Sequence, residues 1–535
     1  MSQDIIFNKE ARAKLQTGVD KVANAVRITM GPKGKVVVIK KGDPIFTLDG
    51  VTVAESVMEL KDEVENMGAS LIKSVAKKTN DGAGDGTTTG TLLGQSLLKA
   101  GLKGVENNLD AIVIKKAYED GSRVIMDELK NMARPVKTEK EMSDIATISS
   151  RDREIGDIIA TIYKKIGVDG LIVTEESKVI GTSYEILQGT QIDNGWISPY
   201  FITHFDRKEG AIEDPYVLVT TQSLSTNDEV VAMLNMVYET DKKSLVVVAE
   251  DVSGEALATM VKNKMMGIMK ILVVKAPGHG EHKQQYLEDI ATLTGAEIIS
   301  EKTGTKVQDM KLEQMGRCGK VVANKTRTMF VDGKGKKSEV NKRLAVLKKE
   351  IKEEESDYKR QVVEKRYARL LGGVAVIRTG SISEAESKEK QYRIEDAVNS
   401  TKSAIQEGIV IGGGLALVKT VKVLNVMISK ATDHSYRFGL EALREAIMSP
   451  SRQILENAGY QPDVILAEID RKGANIGYNA GTGEYCDMFK VGVIDPVKVE
   501  RVALENSVSV VGMFLITGAV VYDEKEEPIK NDNQQ

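Results

Sequence analysis

The stretch Asn80–Gly101, "NDGAGDGTTTGTLLGQSLLKAG", decides how the chain is read. Between Asp81 and Thr89 it holds three glycines, two aspartates and three adjacent threonines, and an apolar periodic run follows at once. Glycine lets backbone N–H groups turn inward, and the N-terminus of a following helix adds partial positive charge; together they form an anion site. Helical periodicity resumes at about Thr88–Leu92, which puts Gly86 to Thr89 at such a terminus. The hydroxyls of Thr87, Thr88 and Thr89 suit phosphate oxygens. Asp85 repels phosphate unless Mg2+ lies between them, since that ion takes carboxylate and phosphate oxygens together. A plain helix-to-helix turn capped by Asp and Thr is the competing reading.

Outward from this stretch the first third of the chain is mostly helical. Leu15, Val19, Val22, Val26 and Met30 mark a helix over Ala11–Met30, stopped by Gly31-Pro32. "KVVVIKKGDPIFTLDG" gives two strands around a Gly-Asp-Pro turn. Met67, Leu71, Ile72 and Val75 predict a helix ending at the glycine-rich stretch, and Leu92, Leu93, Leu97, Leu98 and Leu102 another beyond it. In the middle third "DGLIVTEE", "YVLVTTQ", "SLVVVAEDV", "MKILVVKAPG" and "AEIIS" alternate with helical stretches at Asn227–Tyr238 and Glu255–Met266. That alternation predicts an α/β domain with a largely parallel sheet. Residues 336–370 mix both charge signs with Val340, Leu344, Leu347, Ile351, Tyr358 and Val362, the pattern of a solvated amphipathic helix or helix pair, not of a basic arm. The last third returns to helices with glycine-rich breaks, and the polar end "DEKEEPIKNDNQQ" reads as disordered.

Composition narrows the function classes. A chain of 535 residues exceeds one ordinary core, and 41% hydrophobic with 28% charged residues is the balance of a soluble globular protein. The longest apolar runs are strand-sized, far short of the ~18 residues that span a bilayer. No basic, apolar leader precedes Met1–Ile6, which gives the expectation of a cytoplasmic protein. Cys318 and Cys486 are too few for a disulfide framework and show no redox motif. A net charge of −4 argues against general nucleic-acid binding, which rests on phosphate neutralisation. His279 and His282 have helix-like spacing, but with four histidines in the chain and no nearby cysteine a metal site there is disfavoured.

Three further segments could join the glycine-rich stretch. "TMGPKGK", Thr29–Lys35, puts glycine, proline and two lysines after a helix, either a second phosphate wall or a turn; it is not a Walker loop. "IGGGLAL", Ile411–Leu417, permits close approach of backbone to a ligand or of helix to helix. Asp49 in "LDGVTVA" and Asp396 in "RIEDAV" are, taken singly, ordinary exposed acids.

Read in order, "TMGPKGK", "LDGVTVAESVMELKDEVENMGASLIKSVAKKTNDGAGDGTTTGTLL", "AEDVSGEALATMV", "KAPGHGEHKQQYLEDIATLTGAEIISE", "LLGGVAVIRTG", "IEDAVNSTKSAIQEGIVIGGGLALV" and "GYNAGTGEY…VIDPVKV" resemble a group I chaperonin, the GroEL type, over about Ile5 to Asp523. The resemblance implies an α/β multidomain fold. Residues 1–131 and 407–535 would build a mostly helical equatorial ATP-binding domain, 132–189 and 373–406 an intermediate hinge domain, and 190–372 an α/β apical domain. Gly189 and Gly372-Gly373 fall where the family pivots. The nucleotide pocket would use Thr29, Met30, Gly31, Pro32, Asp85, Gly86, Thr87, Thr88, Thr89, Ile148, Ser149, Gly412, Gly413, Asn479, Ala480 and Asp495. Asp85 would hold Mg2+ and Asp495 the ribose hydroxyls, while Asp396, assisted by Asp49, would orient or deprotonate the attacking water. Trp196, Tyr200 and Phe201 in "GWISPYF", with Val231, Leu234, Leu257 and Val261, match the family's surface for non-native polypeptides; by spacing alone they fit a core equally well.

The resemblance also implies ATP hydrolysis, a homo-oligomeric ring, heptameric in the family, and a lid co-chaperonin of the GroES type. The protein would be of the bacterial type, cellular or virus-encoded. Some positions depart from the pattern. Leu48 stands where the family usually carries Lys, which bears on ATP affinity, turnover and dependence on K+. Lys262 replaces an apolar groove residue. Gln461 replaces a common inter-ring Glu, although Arg452 and Lys103 remain, and no Gly-Gly-Met tail is present. A polypeptide-binding scaffold with weak or lost ATPase is the alternative; a small-molecule kinase is disfavoured, since no acceptor pocket can be read.

Overall fold

The computed structural model describes residues 3–523 except 42, 58, 168–169, 188, 206, 279–280, 301–303 and 355. His279 and the polar end beyond Asp523 lie outside the described residues. The chain separates into two compact units. The first comprises residues 1–161, 176–182 and 379–535; the second comprises 162–175 and 183–378. Among the described residues no helix is long and apolar enough to cross a membrane.

The first unit is helical because its segments repeat apolar residues at three- and four-residue spacing. Helix Asn8–Arg27 buries Leu15, Val19, Val22 and Val26 as the spacing predicts, but ends before Met30. There the backbone tightens: Thr29 N–H bonds Val26 O and Met30 N–H bonds Arg27 O. Helix Glu63–Ala83 starts on Asp62, whose carboxylate accepts the amides of Val64 and Glu65. Its buried stripe is Val64, Gly68, Ala69, Ile72, Val75, Ala76, Thr79 and Ala83. Met67 and Leu71, two of the residues that mark this helix in the sequence, are 42% and 37% exposed. Small residues take their place because the helix meets Asn8–Arg27 backbone to backbone. A Cβ on Gly18 would lie 1.8 Å from Glu65 O, and one on Gly68 2.0 Å from Leu15 O. Gly68→Ala should therefore cost about 1–3 kcal/mol or more by forcing the helices apart, read as a lower denaturation midpoint; an unchanged midpoint contradicts this contact.

Helix Thr87–Glu106 buries Leu92, Leu93, Leu97, Leu98 and Leu102, as expected, and packs on helix Val497–Leu515 from the other end of the chain. Ser507 Oγ donates to Gly90 O at 2.8 Å, and Leu515 fills the space beside Gly101. Strand Gln3–Phe7 pairs antiparallel with Ala519–Asp523, from Gln3 opposite Asp523 to Phe7 opposite Ala519. The predicted hairpin forms from Val37–Lys41 and Asp43–Thr47.

The second unit is α/β, but its sheet is mixed, a correction to the largely parallel sheet expected. Strands Tyr216–Thr220, Ser244–Ala249 and Lys270–Lys275 are parallel, joined through helices Asn227–Tyr238 and Gly254–Met265. Gly316–Ala323 and Thr328–Gly333 are antiparallel because four residues connect them, too few for a crossover. Gly189–Ile192 and Gly210–Glu213 extend this antiparallel part. The charged segment forms helices Lys337–Glu353 and Asp357–Gly372. It is not wholly solvated: Arg366 is 2% exposed and meets Asp289 of helix Glu281–Thr294 through Nε–Oδ2 at 2.7 Å and Nη2–Oδ1 at 3.0 Å. Gly373 ends the second of these helices at φ 69°, and Gly189 opens its strand.

Candidate functional site

The helix before the glycine-rich stretch runs through Ala83, so Asn80–Ala83 is helical and the turn shrinks to Gly84-Asp85-Gly86. Gly84 and Gly86 both take left-handed φ, 73° and 83°. Neither tolerates a side chain: a Cβ on Gly84 would lie 2.3 Å from Asn399 Cβ, and on Gly86 2.5 Å from Val499 Cγ1. Helix Thr87–Glu106 then begins with no side-chain cap, leaving its first-turn amides open to a ligand.

This turn opens on a cavity of about 560 Å³ contained in the first unit. Every residue predicted for the nucleotide pocket lines it except Gly412. Gly412 stands behind Asp495, where a Cβ would lie 3.1 Å from Asp495 Oδ1; Gly413 and Gly414, at φ 73° and 69°, form the wall. Asp495 comes from strand Ile494–Pro496, held opposite Val410 by antiparallel pairing. Its carboxylate accepts the Gly414 N–H at 3.4 Å. Thr29 is buried, and Asn457 Nδ2 fixes the next carbonyl, Met30 O, at 2.9 Å. Asn479 Oδ1 accepts the Gly481 amide at 2.9 Å, and Ala480 beside it is buried.

The acids differ in what surrounds them. Asp85 Oδ1 accepts the Gly86 amide at 2.6 Å and Oδ2 the Ser149 hydroxyl at 3.0 Å, yet burial raises its pKa. Asp49 caps helix Gly50–Ser56, accepting from Val51 N (3.1 Å), Thr52 N (2.8 Å) and Thr52 Oγ1 (2.6 Å). Asp396, on helix Glu384–Glu407, is lifted well above the usual carboxylate range, first by burial, then by Asp49 and Asp85. A pocket that crowds carboxylates in this way calls for a cation. Among the described residues no group of three His, Cys, Asp or Glu could hold a metal by itself. Asp85 beside open amides fits Mg2+, which takes one or two carboxylates and completes its shell with phosphate oxygens and water.

Sequence reasoning missed the cavity's cations. Lys33 and Lys35 do not line it; Lys33 lies over the Tyr460 ring instead. Arg151 and Arg393 do, donating to Thr29 O at 2.8 Å and Ser150 O at 3.0 Å. Arg393 is one helical turn from Asp396, a spacing that could have found it. Arg151 carries no such signal. Leu48 lines the cavity, and so does Glu500, a further acid the motifs do not contain.

The second predicted site is only partly a surface. Phe201 and Leu234 are 1% and 5% exposed and belong to the core of the second unit. Trp196, Leu257 and Val261 are half-buried against that core, with Trp196 Nε1 donating to Lys208 O. Tyr200 and Val231 are exposed, as are Met265 and Met266 at the end of helix Gly254–Met265, which sequence reasoning passed over. The Cys318 thiol is buried and pushed up to about 12 by that burial, the state of an inert core cysteine. Arg452 is already paired with Glu445 and, at 3.1 Å, with Asp463.

A helical unit assembled from both ends of the chain around a cavity of about 560 Å³, with a separate α/β unit formed by the middle of the sequence, matches the build that the chaperonin resemblance implies. A sequence model of the TCP-1/cpn60 chaperonin family matches residues 22–525. The crystal structure of the chaperonin gp146 from bacteriophage EL 2 (Pseudomonas aeruginosa), in the presence of ATP-BeFx, has a similar fold, with a TM-score of 0.68 and 21% identity over 97% of this chain and 99% of that one. The chain belongs to the TCP-1/cpn60 chaperonin family.

Proposed function

We propose that this chaperone is ATP-driven: an oligomeric ring that captures and encloses non-native polypeptides and changes shape as it hydrolyses nucleotide, promoting their folding. The observation that carries this reading is the convergence, in one cavity, of Asp49, Asp85, Asp396 and Asp495 with an uncapped helix end. In the proposed site the amides and hydroxyls of Thr87, Thr88 and Thr89 bind phosphate oxygens. Mg2+, held by Asp85, supplies charge neutralisation when bound. Arg151 and Arg393 add fixed positive charge, and Asp495 holds the ribose. Asp396 is the general base for the attacking water, its pKa raised by burial in the direction that strengthens a carboxylate base, and Asp49 orients it. Phosphoryl transfer needs chiefly positioning and electrostatic stabilisation, which these groups provide.

The proposed division into equatorial, intermediate and apical domains gives hydrolysis something to move, with Gly189 and Gly373 absorbing the rotation. Tyr200, Val231, Met265 and Met266 supply exposed apolar surface for clients, since burial of such surface is non-directional. A homo-oligomeric ring, a GroES-type lid and action in the cytoplasm follow the family pattern. Leu48 in the cavity favours one alternative, a polypeptide-binding ring with weak or lost ATPase. Calorimetry of the assembled protein with ATP, with and without Mg2+, separates the readings when paired with suppression of aggregation of a denatured client. Mg2+-dependent ATP uptake that alters client release is expected. Client binding indifferent to ATP supports the passive ring, and no ATP uptake overturns the proposal.

A further inference from the structure

Glu500 stands in the first turn of helix Val497–Leu515, lines the cavity, and is 4% exposed. Its carboxyl donates a hydrogen bond to Asp495. Its other oxygen, Oε2, is buried and meets no hydrogen-bond partner among the described residues. Buried polar atoms are satisfied in the great majority of cases, so an orphan on a residue that lines a cavity points to a ligand atom as its partner. The neighbouring Val499 packs against Gly86, which brings this helix turn to the Asp85–Thr89 segment as well as to Asp495. Burial, then the charge of Asp495, holds the Glu500 carboxyl well above its usual range, which favours the protonated form that donates to Asp495. With that proton given to Asp495, Oε2 is an acceptor and its missing partner is a donor. A triphosphate offers none. In ATP the donors are the ribose hydroxyls and the adenine amino group, and Asp495 marks the ribose end.

We propose that Glu500 is a specificity-determining residue that reads the sugar: Oε2 accepts a hydrogen bond from one ribose hydroxyl while Asp495 accepts from the other. Two carboxyl groups side by side match a vicinal diol, and the pair selects ribonucleotides over deoxyribonucleotides. This rests on the cavity being the nucleotide site.

Binding of ATP, 2′-deoxy-ATP, 3′-deoxy-ATP and inosine triphosphate to the assembled protein tests it. The wild type is expected to bind at least one deoxy analogue about 10–100-fold more weakly than ATP, the penalty of leaving a buried acceptor unpaired. Glu500→Leu and Glu500→Ala, two variants of different size in case one fails to fold, should erase that penalty. Glu500→Gln, which keeps a donor for Asp495 and an acceptor for the sugar, should retain it. A sugar penalty unchanged in both truncated variants overturns the proposal. So does a preference for ATP over inosine triphosphate that vanishes with Glu500, which would assign Oε2 to the base. If the wild type binds no nucleotide, the site itself is misread, a result distinct from either.

Discussion

Replacing Asp396 with Ala should lower steady-state ATP turnover by about 10²–10⁴-fold, the usual worth of a positioned general base, while leaving nucleotide bound. Two measurements on the same protein are needed, hydrolysis rate and ATP affinity, because loss of both would mean collapse of the pocket, not loss of a base. Turnover that survives the change removes Asp396 from the chemistry. Wild-type turnover should fall as pH drops through the raised pKa of Asp396, with its acid limb above the ordinary carboxylate range. Stability should move the other way. The folded pKa lies above the unfolded value of 3.8, so the group's contribution favours folding in acid and is lost as pH rises through the folded value. Asp396→Asn, which cannot ionise, should therefore be more stable than wild type at neutral pH, with the gap closing in mild acid. Function here is bought with stability.

The second large effect is expected far from that cavity in sequence. Asp289→Ala should destabilise the second unit by about 3–5 kcal/mol, the cost of leaving a buried charge without its partner. The Asp289 carboxylate holds both Arg366 and, through Nε at 2.8 Å, Arg343. Arg366 would then keep Gln285, Nη1–Oε1 at 2.9 Å, and the Tyr286 ring, both uncharged, at 2% exposure. Trp196 is the one tryptophan of the chain and lies in this unit, so its fluorescence reports the unfolding directly. A midpoint close to wild type would mean that the cluster is solvated in solution. The pair Asp289→Leu with Arg366→Met should recover part of the loss, since matched apolar replacements of buried ion pairs are often neutral or better.

Legibility in the sequence followed locality. Asp85 and the three threonines stood in one run whose physics is self-contained, and their place at a helix N-terminus was readable from glycine and periodicity alone; that no side chain caps it was not. Asp396 lies 347 residues after Asp49, and Asp495 a further 99 on, and only the family resemblance put them together. Glu500 stayed hidden because an acid in a helical first turn is ordinarily a favourable exposed charge; its meaning comes from what buries it. Strands of Val, Ile and Leu were visible, whereas "GRCGKVVA" and "TMFVDG", with glycines and charges among the apolar residues, hid the antiparallel half of the sheet. Met67 and Leu71 misled because hydrophobicity ranks them above Gly68 and Ala69, while close helix contact selects for size. Phe201 and Leu234 misled for the converse reason: resemblance marks a surface, and burial decides which of its residues can show themselves.

The pairing of the first strand with the last has a cost during synthesis. Residues 183–378 of the second unit are nearly continuous and can gather their sheet soon after they leave the ribosome. The first unit cannot: Leu93, Leu97 and Leu98 wait for Val508, Val511 and Leu515, some four hundred residues later, and Gln3–Phe7 waits for Ala519–Asp523. Helices Asn8–Arg27, Glu63–Ala83 and Thr87–Glu106 can meet one another early, but the faces that Val497–Leu515 covers stay apolar and open through nearly the whole of translation. A member of a chaperone family thus has, while being made, apolar surface of its own that must wait for cover.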